Sequence, residues 1–286
     1  MSGPAPADAH GAPFKAACVQ LTSGPDPEAN LASAVKHIRA AAAAGADLIM
    51  TPETTNLMEP RRRPMLEKAM PEAADPAVAA FAALAGELDV WLLAGSLVLQ
   101  GDGARAVNRS LLFDPMGRVA ARYDKIHMFD VDIPDGQTYR ESAAFRPGER
   151  AAVADLPWGR LGLSVCYDLQ AQAGAHFLGV PAAFTHFTGQ AHWHVLLRAR
   201  AIETGCFVFA PAQCGVHARE RRTYGHSLIV APWGEVLADG GEAPGFVAAE
   251  IDPALVAKAR AMVPALTHDR AIAPPRGETL VRAAGE

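Results

Sequence analysis

Three Asp-Pro pairs, each followed by helix-forming residues, most strongly limit how this chain can fold. They are Asp26-Pro27, Asp75-Pro76 and Asp252-Pro253. A capping aspartate followed by a proline at the first helical position is a typical helix start. Short apolar runs that predict strands, such as Phe14 to Leu21 and Val90 to Val98, alternate with these helices. This alternation predicts an α/β domain with a large mixed sheet, or two stacked sheets, covered by helices.

The composition fits one soluble globular domain. Of the 286 residues, 50% are hydrophobic and 20% are charged, which is enough apolar material for a large core. The formal net charge of −5 argues against a nucleic-acid partner, because such partners usually meet a basic face. Without repeats or a long linker, we expect a disordered leader at 1–13, one domain at 14–270 and a C-terminal tail at 271–286.

The cysteines indicate a reducing compartment. Cys18, Cys166, Cys206 and Cys214 form no CxxC pair and have no zinc-ligand spacing. The sequence also lacks a secretory signal, so we expect reduced thiols and a cytoplasmic location. No apolar run reaches the ~18 residues of a membrane span, so no membrane partner is expected.

One cysteine stands where a nucleophile would be held rigidly. The apolar run Leu161 to Val165 predicts a buried strand that ends at Cys166. A helix opening directly after it would present N–H groups able to stabilise a thiolate or an oxyanion. The competing interpretation is a buried core cysteine. A serine nucleophile at Ser164 is disfavoured, because GxSxC lacks the second glycine of a nucleophile elbow.

Two other polar residues would help such a cysteine. Glu53 follows the predicted strand Asp47 to Met50, and Lys125 follows the predicted strand Val119 to Tyr123. A thiol with a pKa near 8.5 needs a base to become a nucleophile, and a lysine can stabilise the developing oxyanion. From the residues alone, Glu53 is equally a solvated loop glutamate.

Two further patterns predict ordinary structure. Gly101 to Ala106 matches GxGxxA but precedes a strand, so it predicts a hairpin turn and not a dinucleotide loop. His186, His192 and His194 form an HxxxxxHxH cluster, of which His192 and His194 lie on a predicted helix, Gly189 to Thr204. Helical residues two apart point away from each other, so we expect no metal site there.

Several motifs together resemble one family. Pro52-Glu53, Tyr123 to His127 and Val165 to Asp168 resemble the glutamate, lysine and cysteine motifs of the nitrilase (carbon–nitrogen hydrolase) superfamily, in the same order. Thr138 to Ser142 resembles its accessory glutamate motif. Gln213-Cys214-Gly215, Tyr224 to Ser227 and Pro232-Trp233-Gly234 resemble most closely its Nit branch, especially the deaminated glutathione amidases.

The resemblance implies a fold and a set of roles. The fold would be an α-β-β-α sandwich that dimerises. Cys166 would attack the amide, Glu53 would act as the base, and Lys125 with the N–H of Tyr167 would stabilise the oxyanion. Glu141 would hold Lys125. No metal or cofactor is implied, and we expect Arg198 and Arg219 as binders of a substrate carboxylate.

The resemblance also implies a reaction, with alternatives. The leading interpretation is an amidase that releases ammonia from a small carboxylated amide, such as deaminated glutathione, through a thioester. The alternative is an ω-amidase acting on α-ketoglutaramate. A further alternative is a catalytically impaired relative, because Leu169 to Gly174 is shorter than the family pattern by roughly two helical turns.

Overall fold

The computed structural model describes residues 11–101, 104–132, 138–166 and 175–267. Over these residues the α-helices are α1 (Pro27–Ala43), α2 (Arg62–Lys68), α3 (Pro76–Leu88), α4 (His186–Thr204) and α5 (Ala254–Met262). The strands are β1 (Phe14–Gln20), β2 (Leu48–Met50), β3 (Trp91–Gln100), β4 (Ala106–Phe113), β5 (Val119–Asp124), β6 (Asp130–Asp132), β7 (Thr138–Arg140), β8 (Ala152–Leu156), β9 (Gly159–Leu163), β10 (Phe177–Gly179), β11 (Phe207–Ala210), β12 (Cys214–Val216), β13 (Arg222–Tyr224), β14 (Leu228–Val230), β15 (Val236–Asp239) and β16 (Gly245–Ile251). None of the described helices has the length and hydropathy needed to cross a membrane.

Two six-stranded sheets form the centre of the described chain. The first runs in the order β16-β1-β2-β3-β4-β5, and the second in the order β15-β14-β11-β10-β9-β8. In each sheet three neighbouring strands are parallel, β1-β2-β3 in the first and β9-β10-β11 in the second. The outer strands pair antiparallel.

The helices cover the outer faces of the sheets. Side chains of both sheets share one core, which includes Leu93 from the first sheet and Phe177 from the second. Ile38 of α1 and Phe81 of α3 pack on the other face of the first sheet. α4 contacts β11 and β14 of the second sheet and buries Trp193. The layers are therefore α-β-β-α, which confirms the expected sandwich.

The Asp-Pro signals start helices as predicted. The carboxylate of Asp26 accepts from the Glu28 amide of α1 at 3.0 Å, and that of Asp75 accepts from the Ala77 amide of α3 at 2.9 Å. These bonds satisfy N–H groups that have no partner inside a helix. The antiparallel pairing of β3 with β4 confirms the predicted hairpin around residues 101–106, of which 102–103 lie outside the described residues.

Local boundaries differ from the prediction at several points. Strand β9 ends at Leu163, before Cys166, because the neighbouring strand β10 is followed by Pro181, which has no N–H to donate to the ladder. α4 begins at His186, three residues earlier than predicted, because the Thr185 hydroxyl caps it. β12 and β13 form a hairpin that the sequence did not predict. The predicted leader lies mostly, and the predicted tail wholly, outside the described residues.

Candidate active site

Three chain segments that each follow a strand meet at one cavity. Glu53 lies three residues after β2, Lys125 directly follows β5, and Cys166 lies three residues after β9. All three line a cavity of about 540 Å³. The structure therefore brings together the three residues that the sequence singled out for chemistry.

The loop that carries Glu53 is fixed against the neighbouring strand. The amide of Thr55 donates to the carbonyl oxygen of Ser96 in β3 at 2.9 Å, and the amide of Gly95 donates to the Thr51 hydroxyl at 3.1 Å. A Cβ atom at Gly95 would lie 1.6 Å from the Thr51 carbonyl oxygen, so this close approach requires glycine. The side chain of Gln213 holds the Glu53 carbonyl oxygen at 3.0 Å.

The Glu53 carboxylate has a fixed set of donors. One oxygen accepts from the Lys125 ammonium at 2.9 Å and from the Asn108 amide group at 2.9 Å. The other accepts from the backbone N–H of Ala183 at 2.8 Å. Glu53 itself is only 4% exposed. A buried carboxylate with this many donors is held in one orientation toward the cavity.

Lys125 lies between two carboxylates. Its Nζ donates to both oxygens of Glu141, at 3.0 and 2.8 Å, in addition to Glu53. Glu141 is oriented in turn by the backbone N–H of Phe129, at 2.7 Å. Glu141 therefore contacts Lys125, the residue that the family resemblance implies it would hold.

These contacts fix the charges of the pair. Burial raises the pKa of Glu53, but the charge and hydrogen bond of Lys125 outweigh burial and leave the pKa below its usual value. Burial lowers the pKa of Lys125, but Glu53 and Glu141 raise it well above its usual value. Both residues are therefore ionised at neutral pH.

Cys166 is buried and strained. Its φ of 50° lies in the left-handed region, which non-glycine residues rarely adopt. Its N–H donates to the Pro181 carbonyl oxygen at 2.9 Å. Burial, and then the negative charge of Glu53, raise the pKa of the thiol well above its usual value, against the opposing effect of Lys125. The resting group is a thiol that needs a base to become a nucleophile.

The remaining predicted residues fall in different places. Arg219 lines the cavity, with a left-handed φ of 59°. Arg198, on α4, does not line the cavity, which corrects the prediction that it binds the substrate. Its Nε donates to the carbonyl oxygen of Gly234 at 2.8 Å. Tyr167, whose N–H was expected to stabilise the oxyanion, and the shortened stretch at 169–174 lie outside the described residues.

Sequence reasoning missed Asn108, Ala183 and Arg221. Asn108 is a polar residue in the apolar strand β4, 1% exposed, and this mismatch was the available signal. Ala183 contributes only its backbone N–H, which no side-chain pattern reveals. Arg221 lines the cavity beside Arg219. The disfavoured Ser164 is 1% exposed and is absent from the described cavity lining.

The cavity has no metal-like set of ligands among its described residues. Among the described residues, one group of His, Cys, Asp or Glu side chains has ligand atoms close enough together to hold an ion. None of its members lines the cavity. The described residues that line the cavity include a thiol, an ammonium, several carboxylates and several guanidinium groups.

Known proteins share both the sequence and the fold. The carbon–nitrogen hydrolase family model matches residues 15–261. A deaminated glutathione amidase of Synechocystis is 41% identical over 90% of this chain and 98% of its own length. The human deaminated glutathione amidase is 38% identical over 90% of this chain and 82% of its own. The crystal structure of the Caenorhabditis elegans NitFhit protein superposes with a TM-score of 0.85 at 36% identity, over 92% of this chain and 66% of that one. The chain therefore belongs to the carbon–nitrogen hydrolase family and is an amidohydrolase.

Proposed function

We propose that this protein is a cysteine-dependent amidase that hydrolyses the amide bond of a small carboxylated amide through a thioester at Cys166. Deaminated glutathione is the substrate we propose, since curated relatives at 37–41% identity carry that activity in their names. The observation that carries the mechanism is the buried Glu53–Lys125–Glu141 chain of charges beside a thiol in the same cavity.

Acylation uses the carboxylate as a base. The Cys166 sulfur attacks the amide carbonyl carbon while its proton moves to Glu53. The carbonyl oxygen becomes an oxyanion, stabilised by the Lys125 ammonium and by the N–H of Tyr167. Glu53 then gives its proton to the amide nitrogen, the C–N bond breaks, and the amine leaves a thioester on Cys166. The amine is cysteinylglycine when the substrate is deaminated glutathione, and ammonia when the substrate is a primary amide such as α-ketoglutaramate.

In deacylation, the same groups catalyse the attack of water on the thioester. Glu53 takes a proton from a water molecule whose oxygen attacks the thioester carbon. The second oxyanion is stabilised by the same donors, and its collapse breaks the C–S bond. The proton on Glu53 returns to the sulfur, and the carboxylic acid leaves. Glu141 takes no proton; it holds the Lys125 ammonium in place.

The substrate carboxylate has cationic residues available. Arg62, Arg140, Arg219 and Arg221 all line the cavity. The Nε of Arg221 is buried and has no hydrogen-bond partner among the described residues, while one terminal nitrogen donates to the Ala183 carbonyl oxygen at 3.2 Å. Since Ala183 also donates to Glu53, we propose Arg219 and Arg221 as the carboxylate binders.

An assay of α-ketoglutarate release tests this function, because hydrolysis of either candidate substrate gives that product. Purified protein is incubated with deaminated glutathione or α-ketoglutaramate at equal concentration, with Cys166→Ala as the matched variant. We expect α-ketoglutarate and cysteinylglycine from deaminated glutathione, and neither product with Cys166→Ala. Faster α-ketoglutarate release from α-ketoglutaramate would favour the ω-amidase alternative.

The same experiment addresses the impaired alternative. If wild type and Cys166→Ala release α-ketoglutarate equally from both substrates, the proposed function is wrong. Fast iodoacetamide labelling of Cys166, compared with Cys18, Cys206 and Cys214, then separates an intact but differently specific site from an inactive one. All four are free thiols, which supports a reducing, cytoplasmic location.

We also propose a homodimer through α4. Val195, Leu196 and Ile202 are 66%, 41% and 53% exposed on this helix, and Trp233 nearby is 54% exposed. Val195 and Ile202 are seven residues apart and so lie on one face of the helix, and Ile202 lies close to Gly234, which follows Trp233. Light scattering after gel filtration should give twice the chain mass of 30.1 kDa. Ile202→Asp should give a monomer, while the control Val153→Asp on strand β8 should not.

A further inference from the structure

Outside the active-site cavity, two histidines and an aspartate converge from three separate elements. His194 lies on α4, His226 follows β13, and Asp239 ends β15. One ligand atom from each lies within 4.8 Å of the others. None of the three lines the active-site cavity. We propose that these three side chains form a binding site for a divalent transition-metal ion such as Zn²⁺.

The distances between ligand atoms suit a small ion. Asp239 Oδ2 lies 3.1 Å from His194 Nε2, and Oδ1 lies 2.9 Å from His226 Nδ1. Zinc bonds to imidazole nitrogen and carboxylate oxygen of about 2.0–2.2 Å place neighbouring ligands of a tetrahedral site roughly 3.3 Å apart. An ion can therefore enter after small side-chain shifts, with the carboxylate bridging or rotating to one oxygen.

The ligands are oriented by their neighbours. The Asp239 carboxylate also accepts from the backbone N–H of Gly241 at 2.9 Å. The His226 ring stacks on Tyr224, with ring centres 4.5 Å apart and planes at 26°. The His194 ring meets His226 edge-on at 5.2 Å. Partners that fix ligand orientation raise metal affinity, because less freedom is lost on binding.

The site is open to solvent on one side. The side chains of His194, His226 and Asp239 are 33%, 21% and 37% exposed. Three protein ligands leave a fourth position for water, as in His₂-carboxylate zinc sites. Imidazole and carboxylate ligands favour Zn²⁺ and its neighbours over Mg²⁺ or Ca²⁺, which prefer sites made of oxygen alone.

The expectation of no metal rested on α4 alone. His192 and His194 do point apart, as helix geometry requires: His192 is exposed and belongs to no candidate group in the described chain. The other two ligands come from residues 226 and 239, which only the folded second sheet brings to the helix. A bound ion would tie α4 to β15 and to the loop after β13, and so stabilise the fold.

Zinc titration of metal-free protein tests this proposal. The EDTA-treated, desalted full chain is titrated with Zn²⁺ by calorimetry, and Tm is followed in parallel. Wild type should bind one Zn²⁺ that His194→Ala and Asp239→Asn lose or bind at least about tenfold more weakly. The matched control His192→Ala, two residues away on the same helix, should bind as wild type does. Zinc should raise the Tm of wild type and of His192→Ala only.

Cobalt separates this site from the cysteines. Co²⁺ bound by nitrogen and oxygen ligands should give visible absorption without a thiolate charge-transfer band, and His194→Ala should lose it. The proposal is wrong if wild type binds no Zn²⁺ at about 100 µM, or if His194→Ala and Asp239→Asn bind as wild type does. Equal loss in His192→Ala, or a thiolate band, would also overturn it.

Discussion

At the scale of single residues, the site depends on a cation shared between two carboxylates. The Lys125 ammonium contacts Glu53 at 2.9 Å and Glu141 at 2.8 Å, and its side chain is only 2% exposed. Removing one member of a buried ion pair leaves an uncompensated charge, which is costly. Three charged groups that fix each other provide a preorganised site for an oxyanion.

The substitution Glu141→Gln tests the positioning of Lys125. Glutamine keeps an oxygen for the Phe129 N–H but loses the charge, so Lys125 is drawn toward Glu53 and away from the oxyanion. We expect kcat/KM to fall by about 10²-fold with the fold retained. The control Glu72→Gln removes a carboxylate that pairs with Arg109 outside the described cavity lining. Equal activity of the two variants would contradict this role.

The buried residue His217 makes the free energy of unfolding depend on pH. It contacts the Ser23 carbonyl oxygen through Nδ1 at 2.8 Å and the Thr223 hydroxyl through Nε2 at 2.6 Å. A carbonyl only accepts, so this network assigns the proton to Nδ1 of a neutral ring. Burial lowers the pKa of His217 from 6.5 to about 4.

The direction in which stability changes with pH follows from the difference in proton binding between the folded and unfolded states. The folded state binds the proton less readily than the unfolded chain, so the stability from His217 is complete above pH 6.5 and is lost as pH falls to about 4. The loss amounts to about 3 kcal/mol. In denaturant unfolding at several pH values, His217→Gln should lose less stability over this window than wild type. If exposed His192→Gln flattens the profile as much, the assignment to His217 is wrong.

At the scale of elements, the segments that follow strands position the candidate catalytic side chains. The loop after β2 lies so close to β3 that Gly95 has no room for a side chain. The capped start of α4 follows the segment whose Ala183 N–H holds Glu53. Backbone contacts between elements, more than side-chain packing within one element, therefore position the carboxylate.

Gly95→Ala tests that contact. The new Cβ atom would lie 1.6 Å from the Thr51 carbonyl oxygen, so the loop carrying Glu53 must move. We expect the free energy of unfolding to fall by about 3 kcal/mol or more, with loss of activity. Gly245→Ala in β16 meets nothing within 4 Å and should change stability by less than about 0.5 kcal/mol. A mild effect at both positions, in chemical denaturation, would refute this account.

Elements that are determined by local sequence signals could be predicted. Elements that depend on contacts between distant residues could not. Asp26 and Asp75 announce their helices because the cap is a bond within a few residues. The hairpin of β12 and β13 escaped prediction because its three-residue strands carry no period long enough to detect. Leu196 of α4 is 41% exposed although it adjoins the buried Leu197, because the buried stripe of this helix runs through Trp193 and Leu197.

The residues of the candidate site also fall into those that the sequence could predict and those that it could not. Glu53, Lys125 and Cys166 could be predicted as candidates because each is a reactive residue after a predicted strand, and the motifs around them resemble those of the family. The part played by Asn108 depends on β4 lying beside the loop of Glu53, which is a matter of strand order. The backbone N–H of Ala183 carries no signal in the sequence.

At the scale of the whole molecule, two sheets packed face to face support the site from below. The Phe177 side chain is fully buried in β10 and stacks on Phe209 at 5.8 Å, and it meets Phe14 of the opposite sheet edge-on at 5.4 Å. Large aromatic side chains bury much apolar area and hold the sheets at a fixed spacing. That spacing fixes the distance between loops that come from different sheets.

Phe177→Ala tests the packing between the sheets. Removing the ring leaves a cavity between them, and we expect a loss of about 3–5 kcal/mol in unfolding free energy. Val153→Ala, at a position 42% exposed on β8, should cost less than about 0.5 kcal/mol. Comparable losses for the two variants would show that the sheet interface is not the main core.

Trapping the acyl-enzyme tests the central claim most directly. Wild type is mixed with deaminated glutathione, quenched in acid during turnover, and its mass is measured intact and after digestion. The account predicts a species heavier by the substrate minus cysteinylglycine, with the added α-ketoglutaryl group on the peptide that contains Cys166. Cysteinylglycine release with no such species on rapid quenching, or an adduct on Cys18, Cys206 or Cys214, would contradict a thioester at Cys166.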